Sequence, residues 1–311
     1  MDIKTTKLDF ASRLPSNRAW IAAVALVLCS AAVWGQANGS APMNAAALLQ
    51  KNADLKNQLA SSPFRRPLVL ESSESSSAVD GSVYAELESS FAAVSRTLKS
   101  PEQWCEVMIL HLNTKYCRPD GIAAPTRFKV SIGKKTPQQL SDAFALDFGY
   151  EIVTASSSYL SVLLSAPNGP LGTSNYKIEM QAVPLPDNRT FIRLHYAYEY
   201  GVASRVAMQT YLATVGAGKV GFTQLNYGQK TDYIGGVRGA AERNIMRYYL
   251  AIEAYQASLA RPVDEQLESR LKHWFDATEQ YPRQLREIDK ASYLAMKKEE
   301  YRRQQTAQSQ N

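Results

Sequence analysis

"TFIRLHYAYEYG", Thr190 to Gly201, is the stretch on which the fold turns. It crowds an arginine, a histidine, a glutamate and three tyrosines into one short segment. Along a strand, successive side chains point to opposite faces. Ile192, Leu194, Tyr196, Tyr198 and Tyr200 then share one face, and Arg193, His195 and Glu199 share the other. Neighbouring segments alternate in the same way, so the apolar face is read as the inner one. That makes the charged trio a solvated surface, not a catalytic group. The tyrosines face inward, each pairing an apolar body with a polar tip.

The pattern extends upstream. "RFKVSIG" alternates Phe128, Val130 and Ile132 against Arg127, Lys129 and Ser131. "LDFGYEI" alternates Leu146, Phe148, Tyr150 and Ile152 against Asp147, Gly149 and Glu151. "YLSVLLSA" is apolar on both faces, and "NYKIEMQAV" sets Tyr176, Ile178, Met180 and Ala182 against Lys177, Glu179 and Gln181. "NGPLG" and "PDNR" separate these segments as turns. A period of two over successive segments predicts an antiparallel sheet with one wet face. Before it stand a strand, "SVYAEL", and two short helices. The first puts Phe91, Val94 and Leu98 on one face. The second starts at Ser100-Pro101 and aligns Trp104, Met108 and Leu112.

Downstream, a helix over 203–214 and a hairpin around "NYGQKTD" lead into a long helix. There Ala241, Ile245, Tyr248, Ile252, Tyr255 and Leu259 form one continuous apolar stripe, opposite Arg243, Arg247 and Glu253. "GGVRG" (Gly235–Gly239) enters this helix either as an anion-binding turn or as a strand end needing room beside other backbone. From Pro262 the chain reads as helical and charged, with Leu267, Leu271, Trp274 and Thr278 in a stripe.

Residues 1–37 read as a signal peptide. Lys4, Lys7, Arg13 and Arg18 precede the apolar run Ala19–Gly35, and small residues follow it. An uncleaved anchor is the rival, although the run is short for a span of about 20 residues. Leu28 before Cys29 argues against a lipoprotein signal. Either way the domain is expected to be exported, and periplasmic if the source is Gram-negative. Removing residues 1–37 leaves 31 basic against 27 acidic residues, too mild an excess for a nucleic-acid partner. Residues 38–80 read as a leader helix (Asn44–Ala60) followed by a Ser-rich linker, "ESSESSS". The main domain spans 81–260, and 261–311 is a helical extension.

Beyond the signal, two cysteines remain, Cys105 and Cys117, an even pair that suggests a disulfide in an oxidising compartment. On one straight helix they would lie roughly 18 Å apart, so the helix must end near Asn113 and the chain fold back through "TKYC". The histidines His111, His195 and His273 are scattered, so no metal site is expected.

The order of elements over 81–260 resembles the helix-grip fold of the START-like superfamily, which includes lipid- and sterol-transfer domains, coenzyme-Q-binding proteins and polyketide cyclases. The likeness rests on "SVYAEL", "SSFAAVSRTL", "PEQWCEVMILHL", the alternating strands and "RNIMRYYLAIEAYQASL". It implies an α+β class, with a curved antiparallel sheet wrapped around a long C-terminal amphipathic helix and extra helical segments at both ends. It further implies an apolar cavity between sheet and helix. The residues then expected to meet a lipid, sterol- or quinone-like ligand are Phe148, Tyr150, Tyr176, Met180, Tyr196, Tyr198, Tyr200, Ile245, Tyr248, Ile252 and Tyr255. No cofactor is expected, and a membrane surface is a candidate partner. Two alternatives stay open. A cyclase- or hydrolase-like enzyme would need an acid or base inside the cavity, either His111 or an inverted His195, and no G-x-S-x-G motif is present. An envelope scaffold would dock a partner through the C-terminal helices.

Overall fold

The computed structural model describes residues 43–120, 126–214, 216–227 and 230–309. The export segment, with Cys29, lies outside these residues. Helix α1 (Ala45–Ala60) is capped by Asn44, whose Oδ1 accepts the Ala47 N–H at 2.9 Å. Strands β1 (Leu68–Glu74) and β2 (Ala78–Leu87) form a hairpin. Helix α2 (Phe91–Leu98) follows a Ser90 cap, and α3 (Pro101–Met108) a Ser100 cap with proline in its first turn. Six strands come next: β3 (Thr114–Asp120), β4 (Thr126–Ile132), β5 (Phe144–Ala155), β6 (Leu160–Asn168), β7 (Thr173–Pro184) and β8 (Thr190–Tyr200). Helix α4 (Val202–Thr214) and the ribbon of β9 (Gln224–Tyr227) and β10 (Lys230–Tyr233) lead to α5 (Gly236–Ser258). Helices α6 (Val263–Thr278), α7 (Pro282–Leu285) and α8 (Lys290–Ser309) close the chain.

The eight main strands make one antiparallel sheet in the order β1-β2-β8-β7-β6-β5-β4-β3. Together with α5 it gives the helix-grip arrangement, an α+β fold. Strand β8 lies between β2 and β7, pairing Tyr198 with Val79 and Tyr196 with Ile178. The alternation read from its sequence holds: Ile192, Leu194, Tyr196, Tyr198 and Tyr200 are buried, and Glu199 is exposed. Register shifts between Thr114 and Tyr116, Ile152 and Thr154, and Ser174 and Lys177 interrupt the ladders. Such irregularities bend strands and strengthen local twist. Ile152, expected on the inner face, is exposed because it lies at one of these shifts, near the end of β5.

Three expectations are corrected. The Ser-rich run is no linker: Glu71–Glu74 pair with β2 and the serines after them make the hairpin turn, so residues 42–311 form one unit. Helix α3 ends at Met108, not near Asn113, and a turn over 109–113 reverses the chain. Asn113 instead anchors the neighbouring loop, donating from Nδ2 to the Gly133 carbonyl at 2.7 Å. That early reversal brings the Cα atoms of Cys105 and Cys117 to 5.2 Å and their sulfurs to bonding distance. Finally, Arg243 and Arg247 do not face water. Helix α5 is buried on nearly every side, because the sheet covers one face and α6 and α7 fold back over another.

The outer face of the sheet is partly covered too. Leu48, Leu55 and Leu59 of α1 pack with Val69, Tyr84, Tyr159, Val183 and Phe191 in a second apolar cluster. The C-terminal helices spend their apolar faces on this same chain. Trp274 stacks on Tyr293 at 4.9 Å and donates its indole N–H to the Arg247 carbonyl at 3.0 Å. Burying each such side chain stabilises the fold by roughly 1.5–3 kcal/mol.

Candidate functional site

A cavity of about 530 Å³ opens between the inner sheet face and the first half of α5. Its floor is apolar: Leu146 and Phe148 of β5, Ile178 of β7, and the rings of Tyr176 and Tyr196. Phe144, Leu171 of a single 3-10 turn at Pro170–Gly172, and Tyr211 of α4 also line it, and each is more than a third exposed. Helix α4 is held there by Ser204, whose hydroxyl donates to the Gly172 carbonyl at 2.6 Å. The α5 wall is Ala240, Arg243, Asn244, Arg247 and Tyr248, a stripe with helical spacing. The turn after α3 supplies His111 and Asn113, and the loop after β4 supplies Lys134 and Lys135.

Of the eleven residues expected at the site, Phe148, Tyr176, Tyr196 and Tyr248 line this cavity. The other seven lie in packed core. Met180, Ile245 and Ile252 are fully buried. Tyr150 donates to the Leu98 carbonyl at 3.4 Å, Tyr200 to that of Ser75 at 3.0 Å, and Tyr255 packs under the Arg270 guanidinium. Tyr198 stacks on Tyr176 at 5.0 Å, behind the wall. The cavity thus occupies one end of α5 and not the whole helix. A chain of rings runs away from it, from His111 over Tyr248 and Tyr196 to Tyr176, Tyr198 and Tyr200, with centroids 4.8 to 6.2 Å apart.

Sequence reasoning missed the cationic end. Arg243 and Arg247 repeat at helical spacing beside the apolar stripe, in a helix followed by about fifty further helical positions that had to pack somewhere. That was the available signal. Arg247 donates from Nη2 to Glu287 Oε1 at 2.8 Å, and Lys135 reaches the same oxygen at 2.6 Å. Burial and the Arg247 charge bring Lys135 down to about 8. Burial works against the Glu287 carboxylate, but Arg247 and Lys135 hold it below the usual carboxylate range. Arg243 has no hydrogen bond or ion pair among the described residues, and burial with the nearby Arg247 charge lowers it to about 10.

His111 is 3% exposed. Its Nδ1 accepts the Asn113 N–H at 3.1 Å, which leaves the proton on Nε2. Burial first, then Arg247, Lys297 and Lys135, push its pKa well below the ordinary value, so the ring is neutral. His195 lies on the outer sheet face, where Nδ1 meets the Ser82 hydroxyl at 3.0 Å, and is no part of the cavity. At the start of α5, Glu74 accepts the Arg238 N–H at 3.2 Å, so the chain's own carboxylate sits at the helix N-terminus. Gly239 there does need room: an added Cβ would lie 2.7 Å from the Ile234 carbonyl oxygen. Among the described residues, no group of three or more metal-ligating side chains converges, and no helix is long and apolar enough to cross a membrane.

No protein-family model matches the chain, and no curated protein matches it. Solved structures give partial likenesses. A conserved protein from Geobacillus kaustophilus is 14% identical, over 57% of this chain and 95% of its own, with a TM-score of 0.34. Truncated norcoclaurine synthase from Thalictrum flavum is 12% identical over 47% and 91%, with a TM-score of 0.33. A conserved protein of unknown function from Enterococcus faecalis is 6% identical over 73% and 98%, also at 0.33. Function has to be read from the cavity itself.

Proposed function

We propose that this chain is a START-like binding or transfer protein that holds one hydrophobic small molecule between sheet and α5, outside the cytoplasm. The cavity carries the reading. Its volume of about 530 Å³ suits a small organic molecule, its floor is aromatic and aliphatic, and a few polar groups converge at one end. The exposed apolar residues Phe144, Leu171 and Tyr211 on its wall support exchange of the ligand with a membrane surface. Export is supported by the character of residues 1–37 and by the approach of Cys105 to Cys117.

Titration with N-phenyl-1-naphthylamine, a neutral fluorescent probe, tests the pocket. Saturable one-to-one binding is expected, and Ala240→Trp, which places an indole on the cavity wall, should abolish it. Native mass spectrometry of protein purified from its own compartment should show one bound small molecule. Absence of both signals sinks the proposal. Compartment is read separately: envelope protein should begin after Gly35 or Ala37, and a cytoplasmic protein that retains residues 1–37 would refute export. A second reading, a cyclase- or hydrolase-like enzyme, is favoured only by the neutral His111 on the wall.

A further inference from the structure

The cavity is greasy on its sheet side and cationic at its α5 end, and the charge there does not balance. Three buried donors on the wall lack a hydrogen-bond partner among the described residues: Arg243 Nη1, Arg247 Nε and His111 Nε2. Arg66 and Arg193, each with one orphaned nitrogen, are ion-paired through another, and Arg303, which has an orphaned nitrogen too, lies on α8 outside the cavity lining. Arg247 is likewise ion-paired through another nitrogen. Arg243 is not: of the two carboxylates near it, Glu287 is already shared by Arg247, Lys135 and Lys219, and Glu242 is taken up by Arg238 and by the Phe222 and Thr223 N–H groups. One glutamate therefore serves three cations, and a fourth, Arg243, has none. The wall's own carboxylate, Asp142, is exposed to solvent and pairs with none of them.

Building on the reading above, we infer that the ligand is an amphipathic acid whose anionic head group is held by the Arg243 guanidinium and by the His111 Nε2–H, while its apolar body lies on Phe148, Ile178 and Tyr176. The chemistry selects against other heads. An amine would meet Arg243 and Lys135 as like charges. A neutral alcohol could accept from His111 but would leave Arg243 buried without an ion-pair partner. A carboxylate or phosphate ester satisfies both donors with charge-assisted bonds, about twice as strong as neutral ones. His111 suits this role because it is a neutral donor fixed by Asn113, adding a hydrogen bond without adding charge.

The test is competition against bound N-phenyl-1-naphthylamine by four molecules of one chain length: dodecanoate, dodecyl phosphate, dodecanol and dodecyltrimethylammonium. One of the two acids should displace the probe at least about tenfold more tightly than dodecanol, as a buried charge-assisted bond implies, and the stronger of the two identifies the head group. The ammonium should be weakest. In Arg243→Met the ratio of acid affinity to dodecanol affinity should fall to about one. His111→Gln, which keeps an N–H donor, should retain most of the preference. Equal displacement by dodecanol and both acids overturns the inference and leaves the hydrophobic-pocket reading intact. Failure of the probe and all four competitors overturns both. The wild-type comparison decides the matter even if a variant does not fold.

Discussion

Two groups of buried basic side chains lie within the reach of a few residues, and they are built differently. In one, Lys115 of β3 and Lys297 of α8 are fully buried around Glu300. Lys115 Nζ donates to Glu300 Oε1, the Thr136 carbonyl and Met296 Sδ, and Lys297 Nζ to Glu300 Oε2 and the carbonyls of His111 and Thr114. Each ammonium group uses its three donors. In the other, on the cavity wall, Arg243, Arg247 and His111 each keep an unpartnered one. An unsatisfied buried donor costs about 1–3 kcal/mol, so a fold keeps several together only where something else completes them. The first cluster fastens α8 to the domain. The second keeps its free donors on the cavity wall, where the proposed ligand would complete them.

The comparison breaks most readily at Glu300. Glu300→Ala strands two lysines in the interior, and unfolding free energy should fall by about 3–5 kcal/mol, read by urea denaturation. A loss under about 1 kcal/mol would mean the cluster is solvated and the contrast unfounded. Next comes the pair Cys105 and Cys117, two positions from Lys115 on β3. Reduction should cost about 3 kcal/mol for so short a loop, and intact mass with alkylation should find no free thiol beforehand. Alkylation of both Cys105 and Cys117 in unreduced protein would remove the bridge.

Third, Lys297 sharpens the contrast through pH. Burial, opposed by Glu300, lowers it from 10.5 to about 8 in the folded protein. Below pH 8 both states hold the proton and the full penalty of burying the charge applies. Between about 8 and 10.5 the folded state gives it up while the unfolded state keeps it. The unfolded chain then binds more protons, and stability from this group rises with pH, by up to about 1.4 kcal/mol per unit. Lys135 shifts the same way, so the difference between wild type and Lys297→Met isolates the effect. Parallel curves for the two proteins count against it. Smallest of all, Arg243→Met should change stability by under about 1 kcal/mol, or raise it, because the charge removed has no partner. A loss comparable to that of Glu300→Ala would place Arg243 among the structural cations.

The sheet was legible because strand alternation is local: Tyr196 and Tyr198 had to share a face whatever surrounded them. The start of the second helix at Ser100-Pro101 was readable for the same reason. Half of the polar site was not. His111 could be named as a lone histidine near a helix end, but its neutrality depends on Asn113 and on cations from four other segments. Arg243 and Arg247 looked solvated, since a helix read alone assigns its charged stripe to water.

What the sequence determined by itself, then, is the antiparallel sheet, the inward tyrosines, the long helix and the two cysteines as a pair. The first three follow from periodicities of two or 3.6 that hold within one segment, and the last from the count of cysteines. The tertiary structure alone decided where the cavity lies, that seven of the expected ligand residues are packed core, and that two arginines are buried. Those outcomes depend on α6 and α7 covering a face of α5 and on the turn at 109–113 carrying His111 to Tyr248. Burial is set by what arrives from elsewhere in the chain, and no local pattern encodes it.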